Sequence, residues 1–306
     1  MTDNDWSEHY IKRGDPSKPT YYIIRPCGET NGLILAFIVT AGHIRYALSN
    51  GWLPVVDMQN YPNQYLSPEK FGKENAWEYY FEQPLRIGLE QAYNGENVIL
   101  GLKDIIAPCP NDGVSFFENR NNVVTKWRVL RKLGLLKIKP ALLEEILTVR
   151  EKLFSPNDRV LGVHLRGTDY ISLRPINHPI PPPTEFAAIT VINKLKEWNC
   201  NKIFLATEDK DIARNFKNIF GDICMTLDKE FVDFSPVKDV GEFHLDREND
   251  HFLRGKEYLM EMALLSMCNS FVTARCSGSA GVMVLAEDFE NVFAFNLGRY
   301  GVISLE

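Results

Sequence analysis

The run Val160-Leu161-Gly162-Val163-His164-Leu165-Arg166-Gly167-Thr168-Asp169-Tyr170 constrains the fold most, because in it an apolar strand passes directly into a polar cluster. Side chains alternate along a strand, so His164 and Arg166 are aimed the same way. In an open α/β sheet, ligands collect just beyond the carboxyl ends of the strands. A planar guanidinium at that place suits a two-pronged grip on phosphate or carboxylate. Spacing alone fits a second reading equally well, an Arg–Asp pair buried to close a turn.

The rest of the chain alternates strand and helix. Tyr21–Arg25 reads as a strand, followed by a turn-rich stretch with Gly28 and Asn31-Gly32, then a helix over Leu33–Ser49 that Gly51 closes, then a strand over Trp52–Asp57. Further strands are expected at Val98–Leu100, 159–165, Lys202–Thr207, Ser270–Thr273 and Val292–Asn296. Helices are expected at Asn121–Leu136, Pro140–Phe154, Glu185–Trp198, Asp209–Phe220, Gly255–Met267 and Val282–Glu287. Two successive βαβ series predict two Rossmann-like domains, residues 1–154 and 155–306, joined near 150–158. The aromatic-rich segment between Asn60 and Glu82 reads as packed core, although aromatic rings also suit sugar faces.

Several function classes are disfavoured by composition. The 306 residues carry a formal net charge of -6, where nonspecific nucleic-acid binding needs a basic face. Six cysteines without a CxxC pair read as reduced thiols of a cytoplasmic protein. The polar start has no signal-peptide core, and the apolar run Leu33–Val39 is too short to span a bilayer, so no integral membrane segment is expected. His9, His43, His178, His244 and His251 lack metal-ligand spacing, which predicts no zinc site.

Three smaller clusters carry chemistry. Ser277-Gly278-Ser279-Ala280-Gly281 lies between a strand and a helix, where backbone N–H groups and two hydroxyls could approach a phosphate; a tight turn with a helix cap is the plainer reading. Thr207-Glu208-Asp209 at a strand end could accept from a ribose or a purine, or serve as a helix N-cap. Arg254-Gly255-Lys256-Glu257 could steer a diphosphate, with a solvated charged face as the default.

Taken in order, these residues resemble the GDP-fucose-dependent fucosyltransferases of the α1,6/α1,2/protein-O superfamily, most closely the α1,6 type. The resemblance rests on GVHLRGTDY followed by His178-Pro179-Ile180, on IFLATED at 203–209, and on LRGKEYLMEMALLSMCNSFVTARCSGSAG at 253–281. It implies a GT-B architecture, two Rossmann-like domains facing a central cleft with the nucleotide on the C-terminal one. It also implies inverting transfer of fucose to a glycan hydroxyl, with no metal and no cofactor beyond the donor. Carried over, Arg166 would hold the diphosphate, Ser277, Gly278 and Ser279 would form the anion nest, His164 and Glu261 would face the guanine, and Asp209 would assist at the nucleotide. The chain departs from the α1,6 pattern where Gly167 replaces a second arginine and Arg174 occupies the position of the glutamate base. Asp169 and Glu185 are the alternative candidates for that base. A GT-B transferase using GDP-mannose or a UDP-sugar, and an inactive nucleotide- or glycan-binding protein, remain open as other readings.

Overall fold

Two sheets organise the chain, each within its own compact unit. The computed structural model describes residues 8–26, 28, 31–101, 117, 120–231 and 245–302, with residues 120–123, 168 and 169 described by their backbone only. One unit comprises Met1–Pro108, Thr125–Leu143 and Asp246–Lys256; the other comprises Cys109–Val124, Glu144–Leu245 and Glu257–Glu306. The chain therefore changes unit several times, where the sequence suggests one boundary at 154/155. The reason is physical: three helices, Arg120–Lys132, Pro140–Leu153 and Asp250–Ser266, each contribute residues to both units.

In the first unit, β1 (His9–Lys12), β2 (Thr20–Ile24), β3 (Leu53–Val56) and β4 (Asn97–Leu100) form a sheet in the order β1-β4-β2-β3. β2 is parallel to both β3 and β4, and β1 joins the edge antiparallel. Helix α1 (Leu33–Ser49) has the expected bounds, and its end is closed by Trp52 N–H to Ala47 O at 2.9 Å and Gly51 N–H to Leu48 O at 3.1 Å. After α1 come the short helices α2 (Trp77–Tyr80) and α3 (Leu89–Tyr93), then α4 (Arg120–Lys132) and α5 (Pro140–Leu153). Trp77, Tyr80 and Phe81 are fully buried, with Trp77 and Phe81 rings 4.4 Å apart and Phe37 5.2 Å from Phe81. These rings are core and cannot line a sugar-binding wall. Burying each stabilises the fold by about 1.5–3 kcal/mol. Asp57, past the end of β3, is likewise structural: Oδ1 accepts from the N–H groups of Gln59 and Asn60, and Oδ2 from the Tyr93 hydroxyl at 2.7 Å.

In the second unit, β5 (Val160–His164), β6 (Lys202–Ala206), β7 (Cys224–Met225), β8 (Ser270–Thr273) and β9 (Asn291–Ala294) form an all-parallel sheet in the order β7-β6-β5-β8-β9. Helices α6 (Thr168–Ser172), α7 (Thr184–Glu197), α8 (Lys210–Phe220), α9 (Asp250–Ser266) and α10 (Ser277–Leu285) connect them. Every residue of β5 is buried, as parallel strands covered on both faces are. One layer of the core joins Leu161, Val163, Ile203, Leu205 and Val272 to Ala187 and Val191 of α7 and Phe216 of α8. Strand order reverses between β5 and β8, so a ligand crevice is expected beyond their carboxyl ends.

Two helices start earlier than expected. α9 begins at Asp250 rather than Gly255, which sets Asp250 and Arg254 one turn apart with Arg254 Nη2 2.7 Å from Asp250 Oδ2. Arg254 also donates to Gln64 at 3.1 Å, so the suggested diphosphate-steering role gives way to one in packing. α10 begins at Ser277 rather than Val282, because the small residues that read as a loop are buried and helical. No described helix is long and apolar enough to cross a membrane.

Candidate functional site

At the switch point, His164 pairs in register with Ala206 on one side and Thr273 on the other, so the three strands end level. The residues just past each strand therefore gather at one edge of the sheet: Arg166 after β5, Glu208 and Asp209 after β6, and Cys276 with the start of α10 after β8.

His164 is buried, and its Nδ1 lies 3.2 Å from Ser279 Oγ and 3.8 Å from Cys276 Sγ. Ser279 donates to the carbonyl of Ala274 and touches the Thr273 hydroxyl. With that proton committed, Ser279 Oγ is left to accept from an N–H at His164 Nδ1. This corrects part of the expectation for Ser279: its hydroxyl is turned inward, holding the loop and the imidazole, and only its backbone N–H remains a candidate for an anion. Burial by itself would lower the His164 pKa, but the Cys276 sulfur, with Glu208 and Glu261 beyond it, raises it. Burial by itself would raise the Cys276 thiol; His164, then Arg166 and Ser279, overcome this and bring it down to about 6. The two groups lie 3.8 Å apart beneath the helix start, and each favours the charged form of the other.

Cys276, extended at φ -161°, precedes α10, and no side chain caps the helix. Helix starts carry unpaired N–H groups and a partial positive charge, which together favour an anion. Gly278 is needed here, since a Cβ would stand 2.7 Å from His164 Cε1 and 2.7 Å from the Tyr258 hydroxyl. Ser277, at the first helical position, is half-buried. Arg166, also half-buried, stacks on the Tyr170 ring with its guanidinium carbon 4.6 Å from the ring centre. Its charge reaches Cys276, so the arginine and the helix start share one locale.

Asp209 caps α8: its Oδ1 accepts from Asp211 N–H at 2.8 Å and Ile212 N–H at 3.1 Å. It also explains Gly167. A Cβ at 167 would collide with the Asp209 carboxylate, so this chain has no room for a second arginine there.

Glu261 lies one turn along α9 from Tyr258 and is buried. Its Oε2 is 2.8 Å from Lys229 Nζ, and its Oε1 accepts no hydrogen bond among the described residues. Burial pushes its pKa up, which Lys229 and His164 offset only in part.

The structure thus brings together His164, Arg166, Ser277, Gly278, Ser279 and Glu261, with Asp209 alongside as a helix cap. Glu185 is exposed on the first turn of α7, without a hydrogen bond or ion pair among the described residues. Asp169 lies on α6, and its side chain is outside the described part of the structure. His178–Ile180 is tied to the segment after β9 through Ile180 N–H to Gly298 O at 3.0 Å and an isolated bridge between Pro179 and Arg299. Sequence reasoning missed Cys276, Tyr258 and Lys229. Tyr258 carried a signal, its i,i+3 spacing to Glu261 on one helix. Lys229 carried none, since its partner is 32 positions away.

Compared with known proteins, the fold is similar to that of solved fucosyltransferases. Over 93% of this chain and 98% of the other, it is similar to a crystal structure of the α-1,6-fucosyltransferase NodZ soaked with GDP-fucose, at 15% identity and a TM-score of 0.57. NodZ has also been solved from Bradyrhizobium, at a TM-score of 0.55 and 14% identity over 88% of this chain and 94% of that one. POFUT1 in complex with GDP gives a TM-score of 0.54 at 12% identity, covering 94% of this chain and 100% of the other. A mutant of Arabidopsis thaliana FUT1 in complex with GDP gives 0.52 at 11% identity, covering 92% and 72%. At these identities the likeness is one of fold. No protein-family model and no curated protein sequence matches the chain.

Proposed function

We propose that the protein is a GT-B glycosyltransferase that moves fucose from GDP-fucose to a glycan hydroxyl with inversion at C1 and without a metal. One observation carries the reading. At a single switch point, an uncapped helix start whose N-cap residue Cys276 feels the Arg166 charge occurs together with a buried carboxylate whose Oε1 accepts no hydrogen bond among the described residues. These are the two ends that a nucleoside diphosphate requires. Arg166 and the N–H groups at Ser277, Gly278 and Ser279 hold the diphosphate and stabilise GDP as it leaves, the work a bound cation does elsewhere. Glu261 takes the adjacent N1–H and N2–H₂ donors of guanine, and His164 stands on the base side. Fucose C1 passes through an oxocarbenium-like state while the acceptor hydroxyl loses its proton to a carboxylate, Asp169 or Glu185.

The reading is tested by Arg166→Ala, whose transfer rate should fall by a factor equivalent to about 2–4 kcal/mol of barrier. A variant transferring fucose at the wild-type rate would overturn the assigned role. A second reading, a nucleotide-binding protein without catalysis, is favoured by exposed Arg174 at the base position. Slow hydrolysis of GDP-fucose in the absence of acceptor supports the transferase; tight GDP binding with no turnover supports the second reading.

A further inference from the structure

The Lys229–Glu261 pair is anomalous as a purely structural element. The two side chains are 9% and 4% exposed and their charged atoms 2.8 Å apart. Taking two charges out of water costs several kcal/mol per ion, recovered only when the remaining donors and acceptors are satisfied. Here they are not: Glu261 Oε1 accepts nothing among the described residues. Lys229 has three N–H donors, and among the described residues it also lies over the face of the Phe231 ring, 5.6 Å from its centre. It lies in the stretch that follows β7. A buried donor beside a half-used buried acceptor, at the edge where His164 and Glu208 also act on Glu261, suits a ligand that brings both a carbonyl and N–H groups.

We propose that Lys229 is a base-reading residue. It donates to O6 of guanine while Glu261 accepts from N1–H and N2–H₂, so the ion pair recognises the whole hydrogen-bonding edge of the base. This inference rests on the donor nucleotide proposed above and adds the residue that sets its identity. Adenine presents the opposite polarity, an N6–H₂ donor toward the ammonium and a bare N1 toward the carboxylate. It would leave both buried charges unmatched, the circumstance in which sites built on hydrogen bonds discriminate most strongly.

Calorimetric titration of the full chain with GDP, IDP and ADP tests this, using the wild type, Lys229→Met, Lys229→Gln and Glu261→Gln. The wild type should bind GDP best, IDP about tenfold more weakly for its missing N2 amine, and ADP at least about a hundredfold more weakly. Lys229→Met should weaken GDP and IDP together by about tenfold or more, leave their ratio unchanged, and leave ADP as it was. Glu261→Gln should instead bring GDP and IDP together. Lys229→Gln keeps a donor to both Glu261 and O6, preserves the packing, and should lose only a few-fold in GDP affinity. If either Lys229 variant kept the wild-type affinity for GDP and only Lys229→Met lost stability, or if GDP and ADP weakened equally, the lysine would be structural and the proposal wrong. A wild type that binds none of the three nucleotides overturns the nucleotide reading itself, and the base-reading role with it.

Discussion

At the scale of single residues, the site is governed by close approach and by charge. Gly278 is held to zero side chain by His164 and the Tyr258 hydroxyl, each 2.7 Å from where a Cβ would stand. Gly278→Ala should therefore destabilise the protein by about 1–3 kcal/mol as the ring and the helix start move apart. Chemical denaturation reads this directly, and an unchanged midpoint would show that the helix start shifts freely. Cys276 is predicted to ionise near 6 rather than near the 9 of an ordinary thiol. Thiolate ultraviolet absorbance, taken as wild type minus Cys276→Ala, should show a midpoint about 6, and a midpoint near 9 would deny the pair with His164. The signs for stability oppose each other. A depressed thiol contributes fully above about 9, and its contribution is lost as pH falls through about 6. A raised imidazole contributes fully below 6.5, and its contribution is lost as pH rises through its folded value. Both charges coexist in the window between the two folded values.

Among secondary elements, helix ends decide what each acid does. Asp209 accepts from two N–H groups at the start of α8, so Asp209→Ala should cost about 0.5–2 kcal/mol of stability. GDP affinity should change no more than a few-fold, because the carboxylate is committed to the helix; loss of binding without loss of stability would return Asp209 to the nucleotide. The same elements show what a sequence reveals. α1 was legible to the residue, since an apolar run closed by Gly51 leaves little choice. β5, β6 and β8 were legible as apolar runs ending in polar residues. β1 was not, because a mostly exposed edge strand carries no apolar alternation. The start of α10 was misread because serine and glycine usually mark loops, whereas here their smallness lets a helix pack against His164 and Tyr258. In the candidate site, His164 and Arg166 were legible as alternating residues at the end of an apolar strand and Glu261 through the family resemblance, and the structure adds their gathering at one switch point. The Lys229 partnership, made across the fold, had no local signature.

For the molecule as a whole, the charge balance matters to the account. A net charge of -6 gives no general attraction for a nucleoside diphosphate, so the proposed binding falls to Arg166, Lys229 and the start of α10. The second unit contains every residue assigned to the nucleotide, on a sheet whose order defines one crevice. The central claim, that this crevice takes a guanine nucleotide, is tested most directly by thermal unfolding of the full chain with saturating GDP or UDP. Ligand at about a hundred times its dissociation constant adds roughly 2.7 kcal/mol to the folded state. The account predicts that GDP raises the melting temperature and UDP leaves it where it was. Equal shifts with both nucleotides, or none with GDP, would contradict it.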